Sequence, residues 1–159
     1  MSADSVLRLL HILSLFLMVG GLLAVMLELV RAWTIDDVGR QIQLFEEADV
    51  AKVTLLVPGA IFTGITGFVW AIQQEYDFVE DGWLFALVAV YLFSVVICLP
   101  LLNLGLRRVQ LLAMQARKRG DERTPELEDA LADNVPLVFG SIMLLTVVIM
   151  AWLPIFKPF

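Results

Sequence analysis

The chain has 159 residues, of which 60% are apolar and only 18% charged, and its mean hydropathy is +0.85. That balance argues against an ordinary soluble domain, which is less apolar and more charged. The net charge of −6 and the pI near 4.6 argue against nucleic acid as a partner, which calls for a basic face.

Runs of about 20 apolar residues are long enough to cross a bilayer core of roughly 30 Å. Four such runs, at about 7–30, 53–72, 83–106 and 135–156, take up most of the chain. The expected fold is therefore all-α: a four-transmembrane-helix bundle with short amphipathic cytoplasmic helices, forming one integral membrane domain over 1–159. The single cysteine, Cys98, lies within the third run and has no intrachain partner, so it reads as a small packing residue.

The first run, Leu7 to Val30, holds the only histidine. At helical spacing, His11, Ser14, Met18, Gly21, Val25 and Glu28 share one stripe, with leucines and phenylalanine elsewhere. In lipid, a leucine-rich surface meets the tails and a small or polar stripe meets other helices, so this stripe should face into the bundle. The N-terminus lacks a basic n-region and a small-residue cleavage site, and its apolar run exceeds a signal-peptide h-region, which predicts a retained helix.

The connection from Arg31 to Lys52 carries three basic and five acidic residues. Thr34 and Asp37 have capping-box spacing, with Asp in place of Glu. Ile35, Val38, Ile42 and Phe45 then fall on one helical face, which predicts a short amphipathic helix on the membrane surface or packed on the bundle.

The second run, 53–72, has no charged residue. Gly59, Thr63 and Gly67 recur every four residues, forming a ridge that admits another helix at close range. Gly20, Gly21 and Gly140 are the other small residues expected at helix contacts. Pro58 should kink the helix, since it removes a backbone donor and crowds the preceding turn. Trp70 falls at the far end, where an interfacial indole belongs.

The next loop contains Glu75, Asp77, Glu80 and Asp81 without a basic residue. It lacks the ordered ligand spacing of a calcium loop and reads as solvated surface. In the third run, Tyr91, Ser94 and Cys98 mark an inner face. Arg107 to Arg119 should extend that helix beyond the membrane until Gly120 stops it. Thr124, Pro125 and Glu126 supply an N-cap, a proline at the first helical position and an acid in the first turn. The fourth run contains Gly140, Ser141 and Thr146 and closes on Phe156-Lys157-Pro158.

Nine of the eleven basic residues lie in the first and third connections (three plus six), and none in the second. The positive-inside rule then places both termini outside and the two basic connections in the cytoplasm.

Chemistry concentrates at few positions. His11 in the first run and Met150 in the fourth lie at similar depth, and an imidazole facing a thioether is a ligand pair for haem iron or copper. The alternative is a histidine near the interface that hydrogen-bonds a backbone carbonyl or water, with Met150 as filler. Glu28 reads as an interfacial carboxylate paired with Arg31. The sequence contains no Gly-rich phosphate loop, nucleophile elbow, zinc spacing or thiol pair.

His11 followed by Gly20-Gly21, Ala48-Asp49 leading to Pro58 and Thr66-Gly67, Gly82-Trp83-Leu84, Leu99-Pro100 and the closing Lys157-Pro158 together resemble a bacterial family of predicted integral membrane proteins of unknown function. More distantly, the early histidine and paired glycines are similar to copper-resistance D-type membrane domains and to the haem-containing protoporphyrinogen oxidase of bacteria. That second resemblance implies His11 as a haem b or copper ligand, with Arg8 in the place of the basic residue three positions before it. The oxidase pattern has a second histidine later in the same hairpin, and this chain has none. The expected function is a non-enzymatic accessory subunit or small-ligand-binding module of the bacterial inner membrane. Its expected partners are the lipid bilayer and a larger membrane complex or further copies of itself, met through its small-residue ridges. A haem- or copper-binding redox protein using His11 is the alternative.

Overall fold

A computed structural model describes residues 3–77, 80–120 and 123–158. Among these residues every regular element is a helix and there is no strand. The helices are α1 (Ala3–Thr34), α2 (Val38–Ala51), α3 (Val57–Gln73), α4 (Gly82–Leu92), α5 (Leu99–Lys118), α6 (Pro125–Ala132) and α7 (Val135–Phe156). Four stretches are long and apolar enough to cross a membrane: Asp4–Thr34, Val38–Gln73, Gly82–Lys118 and Pro125–Phe156.

The helices are longer than the apolar runs predicted. The 32 residues of α1 measure about 48 Å at about 1.5 Å each, well beyond the hydrocarbon thickness. The amphipathic segment after it is not a separate surface helix. α2 continues into α3 through a π-helical turn at Lys52–Leu56, making one rod over Val38–Gln73. In the same way α4 continues into α5 through a π-helical turn at Phe93–Cys98.

Both π turns have one cause. Each is followed by a proline, Pro58 or Pro100, that has no N–H to donate and a ring that crowds the previous turn. Widening that turn lets Val57 donate to the Lys52 carbonyl and Leu99 to the Ser94 carbonyl, five residues back in each case. The helix hydrogen bonding thus passes each proline through a wide turn.

The stripe read on α1 faces inward: Ser14, Met18, Gly21 and Val25 are buried, and His11 and Glu28 are half-buried. Leu9, Leu13, Phe16 and Leu23 on its other sides are exposed, as are Phe62, Ile65 and Phe68 on α3. Such a surface is stable only against lipid tails.

The densest packing lies towards the two basic connections. Leu29, Ala32, Val38, Leu44, Phe45, Leu106, Val109, Ala113 and Leu127 are buried in one cluster there, built from the overhanging ends of α1, α2 and α5 and capped by α6. Trp33 closes it, donating its indole N–H to the Leu131 carbonyl at 2.9 Å and meeting Phe45 edge-on at 5.9 Å. Trp33→Phe keeps the ring contact and removes the hydrogen bond. It should cost about 1 kcal/mol, read as a shift in the unfolding midpoint.

Local signals account for the helix ends. Asp37 caps α2 by accepting from the Arg40 N–H at 2.6 Å. Thr34 stays in α1 and donates to the Arg31 carbonyl at 2.9 Å, so the cap is Asp37 alone and not the Thr34–Asp37 box. Thr124 caps α6 through the Leu127 N–H at 3.3 Å. Gly120 follows α5 at φ 115°, a conformation that side chains rarely tolerate.

Candidate functional site

α1 and α3 run antiparallel with their backbones in contact. A Cβ on Gly59 would lie 2.3 Å from the Met18 nitrogen, and one on Gly21 would lie 2.4 Å from the Leu56 nitrogen. The small residues therefore serve a crossing within the chain. The ridge of Gly59, Thr63 and Gly67 is taken up by α1, so a partner would have to meet another face. Gly140 plays the same part where α7 meets α1, since its Cβ would fall 2.1 Å from the Met26 sulfur. At Gly20 an added Cβ would meet nothing within 4 Å.

This close crossing brings a polar seam together at the end of the bundle that carries both termini. The Nδ1 of His11 lies 3.0 Å from the Thr66 hydroxyl, and the imidazole fills the space left by Gly67, where a Cβ would lie 2.9 Å from Cε1. Below it, Ser14 and Thr63 are buried and hydrogen-bonded to each other at 3.2 Å. Above it, Asp4 accepts from the Trp70 indole at 3.1 Å and from Gln74 at 2.9 Å, and pairs with Arg8 at 3.2 Å. The Arg8 guanidinium lies 5.5 Å from the Trp70 ring centre, and the His11 ring 5.9 Å from the same indole.

The order of these hydrogen bonds assigns the histidine tautomer. Thr66 donates its own proton to the Phe62 carbonyl at 2.6 Å. Ser14 donates to the His11 carbonyl at 2.8 Å, and Thr63 donates to Ser14. With the Thr66 proton placed on the Phe62 carbonyl, the Thr66 oxygen accepts from the ring, and the network assigns the ring hydrogen to Nδ1. Nε2 then holds a lone pair, able to accept a hydrogen bond, a proton or a metal.

His11 and Arg8 thus share the seam, and Met150 sits half-buried on α7, packed against the apolar core cluster. Glu28 lies towards the opposite end and pairs with Arg31 at 3.1 Å. Among the described residues no group of three or more His, Cys, Asp or Glu is placed to hold a metal ion.

Sequence reading missed the α3 half of the seam. Thr63, Thr66, Trp70 and Gln74 stand three and four residues apart, the signal of one polar helical face. It also missed Lys52, which counted as a loop residue next to the second run. Lys52 is only 4% exposed and donates to Asp49 on its own rod and to Asn103 on α5, the latter at 2.5 Å. A buried ammonium needs such partners.

Comparison with curated proteins and with solved structures gave no match, and the more distant family similarities found no support. A family model, however, matches residues 5–158, nearly the whole chain. By that match, together with four membrane-length apolar helices, the chain belongs to the family described as "predicted integral membrane protein (DUF2269)".

Proposed function

We propose that the protein is a non-enzymatic accessory or small-ligand-binding module of the bacterial inner membrane, with both termini on the outer side. Its ligand site is the mouth of the α1–α3 seam. The observation that carries this is the His11 imidazole, set by its Nδ1 3.0 Å from the Thr66 hydroxyl and half-buried below Arg8, Asp4 and Trp70, with Nε2 left for a ligand. An acceptor nitrogen fixed beside a guanidinium and an indole suits a small polar ligand or a polar group of a larger subunit. The orientation rests on nine basic residues in the first and third connections against none in the second.

The same Nε2 favours a second reading, in which His11 would hold haem b by this nitrogen. A Thr66 oxygen behind the ligating imidazole is the usual kind of orienting contact. Copper fits less well, because among the described residues no group of three or more His, Cys, Asp or Glu is placed to hold a metal ion.

One histidine makes the test simple. Diethylpyrocarbonate applied to right-side-out vesicles should modify His11 from the outer side, and purified protein made with haem and copper supplied should show no Soret band. A His11 that reacts only after denaturation would overturn the open site. A Soret band at one equivalent, lost in His11→Ala, would establish the haem reading instead.

A further inference from the structure

We propose that Tyr76 and Trp83 form a binding site for an organic ammonium group, which the chain's own Lys157 fills in this structure. The site lies apart from the α1–α3 seam, between the end of α3, the start of α4 and the end of α7. The two rings meet edge to face at 5.3 Å and an interplanar angle of 90°. They make two walls of a corner, floored by Ala71, Leu84 and Leu87. The Lys157 ammonium sits in that corner, 5.0 Å from the Tyr76 ring centre and 4.9 Å from that of Trp83. Its one oxygen partner there is the Tyr76 hydroxyl, at 3.2 Å.

Two features mark this corner as a cation host and not simply a place where a lysine came to rest. Glu75, Asp77, Glu80 and Asp81 stand on the adjoining loop, yet among the described residues no carboxylate pairs with Lys157. The ammonium is held by π-faces, whose negative quadrupole attracts cations. The acidic loop adds a field that concentrates cations at the mouth.

The occupant is an alkylammonium without need of a carboxylate: the ethanolamine or choline head of a phospholipid, or a free quaternary amine. Tyr and Trp belong at the head-group level of a membrane, where the first source is abundant. Once displaced, Lys157 remains close enough by its tether to pair with the phosphate of such a head group.

The test uses the full chain in lipid nanodiscs with labelled tryptophan, the Trp83 indole resonance being assigned by Trp83→Phe. Tetramethylammonium chloride is titrated against sodium chloride at equal ionic strength. Saturable movement of the Trp83 resonance is expected in wild type. In Lys157→Gln the half-saturation should fall by about tenfold, the factor that one well-placed cation–π contact carries. Adding Tyr76→Leu to Lys157→Gln should abolish it.

Absence of saturation in Lys157→Gln in phosphatidylglycerol discs, or its persistence there without Tyr76, would overturn the proposal. Discs of phosphatidylethanolamine and of phosphatidylglycerol separate the sources. A Trp83 resonance of Lys157→Gln already at the bound position in ethanolamine discs identifies the lipid head. Movement only on adding the free cation, in both discs, identifies a soluble amine.

Discussion

Gly59→Val should remove most of the folded protein from the membrane. The Cβ would lie 2.3 Å from the Met18 nitrogen and 2.7 Å from its Cα, both backbone atoms of α1 that have no rotamer to yield with. Relief requires moving α1 off α3, which also breaks the His11–Thr66 and Ser14–Thr63 bonds. Overpacking costs about 1–3 kcal/mol where side chains can shift, and a backbone collision belongs at or above the top of that range. Gly20→Val, on α1, is the control, since an added Cβ there meets no atom within 4 Å. It should change stability by no more than about 0.5 kcal/mol. Denaturant titration of helicity in mixed micelles separates the two variants, and equal loss in both would contradict the close crossing.

Asp49→Ala should do more damage than Lys52→Met. Removing Asp49 strands an ammonium whose side chain is 5% exposed, leaving Asn103 as its remaining partner. Breaking a buried pair in this way costs about 3–5 kcal/mol, and the 35% exposure of Asp49 brings the expectation down to about 2–3 kcal/mol. Removing Lys52 instead frees a carboxylate that can turn to water, and methionine refills the volume, so the cost should be below about 1 kcal/mol. The double variant should recover most of what Asp49→Ala loses. A Lys52→Met as severe as Asp49→Ala would mean that Lys52 is needed for more than charge balance.

The bundle was legible because the bilayer imposes a simple code. Four long apolar runs, inward small residues on α1 and the cap at Thr124 are all local signals, and the structure bears each of them out. The helix joints were not legible in the same way. The stretch from Arg31 to Lys52 read as a connection holding its own short helix, but α2, capped by Asp37, runs through Lys52 into α3 without a break. The π turns that carry the rods past Pro58 and Pro100 depend on bonds five residues back, a pattern that proline marks only as a disturbance.

The candidate site was half visible. His11 and Arg8 announced themselves by chemistry, whereas Thr66, Trp70 and Asp4 gain meaning only when α3 lies along α1. The pairing of His11 with Met150 rested on depth alone, which does not fix rotation about the helix axes. Depth is readable from chain position, and the direction a side chain faces depends on its neighbours.

The most direct measurement is the nitrogen spectrum of His11 in lipid, recorded after labelling with nitrogen-15 histidine. The chain has one histidine, so both ring nitrogens appear without overlap. The account predicts, above the histidine's own titration, a protonated Nδ1 and a bare Nε2 that shifts when a ligand enters the seam. A protonated Nε2 with a bare Nδ1 would reverse the Thr66 hydrogen bond and remove the acceptor on which the proposed site depends.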